Sequence, residues 1–122
     1  MFIDTHMSQA TANLYNDPKS VYFYALNMLK ARYPAGESII LQDNYWAYEY
    51  ARNVIKDRWP EAEIKIIKDP EIIYYYARNV IKARWLEAEP IIMKNNRWYT
   101  AYKKVFQTPL KIVEYHENLS KM

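Results

Sequence analysis

A chain of 122 residues, 51% apolar and 25% charged, has the length of one domain and enough apolar side chains to bury a core, unlike a disordered segment. It contains no Cys, which excludes disulfides, thiolate zinc sites and cysteine nucleophiles. The net charge of +3 admits an acidic or nucleic-acid partner and argues against mimicry of DNA, which needs a strongly negative surface.

Two further counts set the fold class. A single Gly, Gly36, stands beside 13 Tyr and 4 Trp, so flexible turns are few and large half-polar rings are many. Helices joined by Pro and Asn turns fit that balance better than a sheet. The opening "MFIDTHMSQATANLYND" has neither a basic region nor an apolar block of the secretory kind, and no apolar run of about 18 residues spans a bilayer. The expectation is a cytoplasmic protein without membrane contact, working inside a bacterial host cell.

In chain order, residues 1–16 are the expected N-terminal cap. Residues 17–108 then carry a repeat with a period of 26. The copies read "DPKSVYFYALNMLKARYPAGESIILQ", "DNYWAYEYARNVIKDRWPEAEIKIIK" and "DPEIIYYYARNVIKARWLEAEPIIMK", with a partial fourth, "NNRWYTAYKKVF". The second and third agree at 16 of 26 positions, more than shared amphipathicity produces. Residues 109–122, with the run "LKIVEY", are the expected C-terminal cap, and the whole chain is expected to form one domain.

Each copy reads as two helices. Asp17, Asp43, Asp69 and Asn95 are N-cap types, and Pro18 and Pro70 take the first helical position, so a long helix starts there in every copy. Its expected length is about 15 residues, with Ile73, Tyr76, Ala77, Val80, Ile81 and Arg84 or Trp85 on one face of the third copy. Pro34 and Pro60 start a second, shorter helix with acidic residues near its positive end. Pro90 lies about one turn into the third of these, so that helix begins late or as 3₁₀. One long and one short helix cannot bury their apolar faces alone, whereas stacked copies can. The predicted fold is therefore all-α: a short α-solenoid of about three and a half two-helix repeats, right-handed or nearly straight, with terminal caps.

The motif "YARNVIKxRWPEAE", followed by Ile-rich residues and Asp-Pro, resembles short tandem helical repeats in hypothetical proteins of bacteriophage and bacterial genomes. The resemblance covers residues 17–106 and carries no catalytic residues. It implies a viral or mobile-element setting. Small phage proteins of this size are often inhibitors of host machinery, anti-CRISPR and other anti-defence proteins among them.

Catalysis finds no support in the residue pattern. His6 and His116 are the only histidines, sit in opposite terminal segments and match no metal-ligand spacing. One Gly cannot build a dinucleotide-binding or phosphate-binding loop. Glu61 and Glu63, like Glu87 and Glu89, diverge on a helix and make a poor acid/base pair. The chain is expected to be no enzyme and to need no cofactor or metal.

What repeats is a set of polar and aromatic slots. Arg32, Arg58 and Arg84 precede Glu37, Glu63 and Glu89 by five residues; Arg projecting on the apolar side of the long helix would pair with Glu of its own or the adjacent layer and fix the stacking register. Asn27, Asn53 and Asn79 are expected to bond to the neighbouring layer's backbone. Arg52, Lys56, Arg78 and Lys82, extended by Lys103 and Lys104, form a basic strip on successive helices. Tyr24, Tyr50, Tyr76 and Tyr102 fall on the apolar arc as core residues. Tyr22, Tyr48 and Tyr74 lie at its edge, where with Tyr45, Trp46, Tyr75, Trp98 and Tyr99 they form an aromatic surface of the kind enriched at interfaces. The sequence thus reads as non-catalytic protein binding, with Tyr22, Tyr48, Tyr74 and the strip facing a host or bacterial protein. The alternatives are a nucleic-acid-binding module using the strip and a self-associating structural protein, a homo-oligomer of stacked layers.

Overall fold

The computed structural model describes residues 16–106, and both expected terminal caps lie outside the described residues apart from Asn16. Among them all regular structure is helical, in seven α-helices accompanied by π and 3₁₀ turns. The chain divides into two compact units after Ile66.

The first unit holds two repeats. Helix α1 (Pro18–Phe23) runs into a π-helical segment, Tyr24–Leu29, and is followed by α2 (Pro34–Ile40). Next come α3 (Asn44–Tyr50), its π continuation Ala51–Ile55, and α4 (Pro60–Ile66). The second unit repeats the pattern with α5 (Pro70–Tyr76), the π segment Ala77–Ile81, a 3₁₀ turn Leu86–Ala88 leading into α6 (Glu89–Ile92), and α7 (Asn96–Val105). Within each unit successive helix pairs stack as in a short α-solenoid.

The helix starts follow from local chemistry. The Asp17 carboxylate accepts from the Ser20 N–H at 2.9 Å, Asp43 accepts from the N–H groups of Tyr45 and Trp46, and the Asn95 amide oxygen accepts from Trp98. Each satisfies donors that a first turn leaves without partners. Asp69 makes no such bond; there Pro70 at the first helical position removes one of those donors. Pro90 also takes the first turn of its helix, and the preceding residues tighten into the 3₁₀ turn that its ring tolerates.

The long helix stops earlier than its apolar spacing predicts. After Leu29, Ile55 and Ile81 the chain turns through Lys30, Lys56 and Lys82, all left-handed, with φ of 54°, 61° and 60°. The Lys56 and Asp57 N–H groups both reach the Ala51 carbonyl, at 2.7 and 3.3 Å. The Lys82 and Ala83 N–H groups converge likewise on Ala77, at 2.8 and 3.3 Å. This is a left-handed helix closure widened by one residue, as the π geometry requires. For a residue with a Cβ the left-handed conformation costs about 1–2 kcal/mol. A cation at the negative end of a helix returns only about 0.3–1 kcal/mol. Arg32, Arg58 and Arg84 therefore lie in the turn beyond the helix rather than on its apolar side, and Trp85 reaches the core from that turn.

Tyr50 and Trp59 fill the first unit's interior with ring centroids 4.9 Å apart, and Tyr76 and Trp85 repeat the pair at 5.1 Å in the second. All four are at most 2% exposed, so each ring contributes more than any single surface interaction, roughly 2–3 kcal/mol of burial. Gly36 belongs to this packing for want of space. A Cβ there would lie 2.5 Å from Val21 Cγ1 and 2.7 Å from the Tyr33 ring, while the matching slots hold Ala62 and Ala88.

Candidate interaction surface

The repeated polar residues lock each unit from within. Arg32 Nε and Nη2 donate to both oxygens of Glu37 at 2.9 and 3.0 Å, Arg58 clasps Glu63 at 2.8 and 2.9 Å, and Arg84 holds Glu89 at 2.9 Å twice. These forked pairs are internal to one repeat. The next repeat's tyrosine joins them. Tyr50 donates to Glu37 at 2.7 Å and accepts from the Tyr33 N–H at 2.7 Å; Tyr102 donates to Glu89 at 2.7 Å and accepts from the Trp85 N–H at 3.0 Å. Burial pushes the Glu37 carboxyl up, but the bonds from Arg32 and Tyr50 outweigh it and hold the carboxyl below its ordinary value. Burial, then the carboxylate beside each, pushes the phenols of Tyr50 and Tyr102 well up.

Tyr22 and Tyr48, expected at an exposed edge, are 4% and 3% exposed. The helical face is wide enough to pack on both sides, which puts them inside; neither offers a ring to a partner. The Tyr22 hydroxyl accepts from Asn53 Nδ2 at 2.8 Å, and the same nitrogen donates to Glu49 at 2.9 Å. Asn53 thus bonds to the neighbouring repeat through a side chain, not the backbone as its slot suggested. Lys56 and Lys82 leave the helix at its left-handed end, so they do not continue a strip of Arg52 and Arg78 along the helix face. Arg52 turns to Tyr48 at 3.4 Å and lies 4.0 Å from Glu49.

Trp46 and Trp98 occupy the same repeat position, two periods apart. Trp46 packs on Tyr22 and Phe23 of the preceding repeat at 5.4 and 5.7 Å. Trp98 packs on Tyr74 and Tyr75 at 5.7 and 5.6 Å. The 26-residue period aligns the two. The two clusters differ in charge. Around Trp46, Tyr45 donates to Glu49 at 2.7 Å, and that bond, with burial, pushes its phenol up to about 12. Around Trp98 cations gather: Arg97 lies 5.1 Å from the indole, Arg78 5.8 Å from the Tyr74 ring while donating to its hydroxyl at 3.1 Å, and Lys103 4.7 Å from the Tyr99 ring. Tyr74, Tyr75, Trp98 and Tyr99 are half-buried, and Arg78 and Arg97 exposed. Such an arrangement presents flat apolar area with cationic borders.

Among the described residues no three His, Asp or Glu side chains gather as metal ligands would, and no helix is long and apolar enough to cross a membrane. The chain is a tandem helical repeat with a recurring Tyr, Glu and Trp bonding pattern. Comparison with protein-family models, curated proteins and solved structures finds no match.

Proposed function

We propose that the chain is a non-catalytic protein-binding repeat protein that covers a functional surface of a bacterial host protein, with Trp98, Tyr75, Arg97 and Arg78 as its anchors. The observation that carries the reading is the half-exposed Trp98 cluster, because interfaces draw most of their affinity from a few aromatic and Arg side chains. The resemblance of "YARNVIKxRWPEAE" to repeats in phage and bacterial hypothetical proteins supplies the setting: a phage-type inhibitor, anti-CRISPR or otherwise anti-defence, acting by steric occlusion. Its effect would need no histidine.

Capture from host lysate with the intact protein tests this. A specific partner identified by mass spectrometry should lose about 30-fold or more in affinity on Trp98→Ala or Arg97→Ala, and lose nothing on His6→Ala or His116→Ala. Melting temperatures close to the parent's exclude unfolding as the cause. A partner retained at parental affinity by both anchor variants overturns the assignment.

A second reading, nucleic-acid binding, draws on the same cation-bordered rings, since bases stack on such platforms. A gel shift with generic single strands at low salt, abolished by added salt, would favour it.

A further inference from the structure

In the first unit, the ends of the two π segments enclose a cleft of about 210 Å³. Lys30 and Lys56 line it together with the apolar Leu26, Ala31 and Val54, and Asn53 gives it a fixed polar wall. The Asn53 amide nitrogen is committed to Tyr22 and Glu49, which holds that wall in place. No Asp or Glu lines the cleft. Among the described residues neither lysine forms an ion pair. The neighbouring Asp57 accepts from the Arg58 N–H at 2.7 Å.

Both lysines hold left-handed backbone that Gly or Asn adopts at lower cost, and attraction to the helix end does not offset the strain. The same strain recurs at Lys82, so it belongs to the turn; what singles out Lys30 and Lys56 is that both line one cleft. The volume lies below the roughly 300–1,000 Å³ typical of drug-sized ligand sites, so the occupant is small. Its chemistry follows from the lining: a negative group suits a cleft lined by two lysines and no carboxylate, and a short branched or straight apolar group suits Leu26 and Val54.

We propose that this cleft binds a small apolar carboxylate, presented either by a chain-terminal residue of a partner or by a free short-chain acid. The site is independent of the Trp98 surface and stands or falls separately from it.

Titration of the ¹⁵N-labelled full chain with N-acetyl-leucine, butyrate and the uncharged N-acetyl-leucinamide tests the assignment. Both acids should shift the backbone amides of Lys30, Ala31, Asn53 and Lys56 with millimolar affinity, and the amide should not. Tighter binding of N-acetyl-leucine identifies a chain end as the source; tighter binding of butyrate identifies a free acid. The double variant Lys30→Gly with Lys56→Gly should lose at least tenfold in affinity while melting no lower than the parent; Lys30→Asn with Lys56→Asn provides the same test in a second background. Absence of shifts, equal shifts from the uncharged amide, or shifts that survive both double variants would overturn it.

Discussion

The Tyr50 hydroxyl sits between the Glu37 carboxylate and the Tyr33 N–H, 2.7 Å from each. It thereby ties the helix of one repeat to the turn of the repeat before it. Tyr102 does the same with Glu89 and Trp85. Tyr50→Phe keeps the ring against Trp59 and removes only the hydroxyl. It should destabilise the protein by about 1–3 kcal/mol, the loss of a bond to a charged group and of a partner for a buried N–H. Urea unfolding at neutral pH measures this, and an unchanged midpoint would show that water replaces the hydroxyl at no cost.

Acid should weaken the same lock. The Glu37 carboxyl is held below its ordinary 4.5 in the folded chain, so its stabilising contribution is complete above that value and is lost as pH falls from about 4.5 through the lowered folded value. Glu37→Gln should flatten this part of the stability profile and leave the chain weaker at neutral pH. A profile between pH 5 and pH 3, roughly the carboxylate range, that matches the parent's would refute the linkage.

At alkaline pH the signs reverse. The phenols of Tyr45, Tyr50 and Tyr102 lie above their ordinary 10.0 in the folded state. Each contributes stability that is present below that value and disappears as pH rises through the raised one. Ultraviolet titration should show Tyr50 and Tyr102 ionising only as the fold opens. Tyr45, pushed up to about 12, should return towards its ordinary value in Glu49→Gln.

Much of this architecture is legible in the residues. Asp17, Asp43 and Asn95 announce helix starts because capping chemistry is local, and Pro90 announces its 3₁₀ approach for the same reason. Helix ends are less legible. The π turns leave no periodic trace of their own, and Lys30, Lys56 and Lys82 stand where Gly would mark the stop. That is why the long helix reads as longer than it is and why the Arg slot reads as part of its face. Tyr22 and Tyr48 are buried rather than at an edge because a helix packed on both sides has no free edge; spacing alone cannot count its neighbours.

Lys82→Gly isolates the backbone cost of the left-handed turn. At φ 60° it should gain about 0.5–1 kcal/mol, the strain relieved less the greater freedom of Gly in the unfolded chain. Lys82→Val should lose more than that, because a β-branched side chain resists positive φ. Paired thermal melts decide it.

Gly36→Ala should behave unlike an ordinary helix substitution. Ala gains about 1 kcal/mol in helix propensity, yet its methyl would meet Val21 and Tyr33 well inside contact distance, and overpacking costs about 1–3 kcal/mol. The net expectation is destabilisation, largely reversed when Val21→Ala is added. Chemical denaturation of the two variants checks both signs.

The tyrosine latches also bear on how the chain folds. Tyr50 and Tyr102 each meet partners only 13 and 17 positions back along the backbone, so little polymer entropy is spent before the first tertiary bond rewards it. A nucleus can condense in either unit from its own neighbouring segments. Collapse should therefore be quick and tolerant of where it begins, and a newly synthesised chain can start to acquire structure before its far end has left the ribosome.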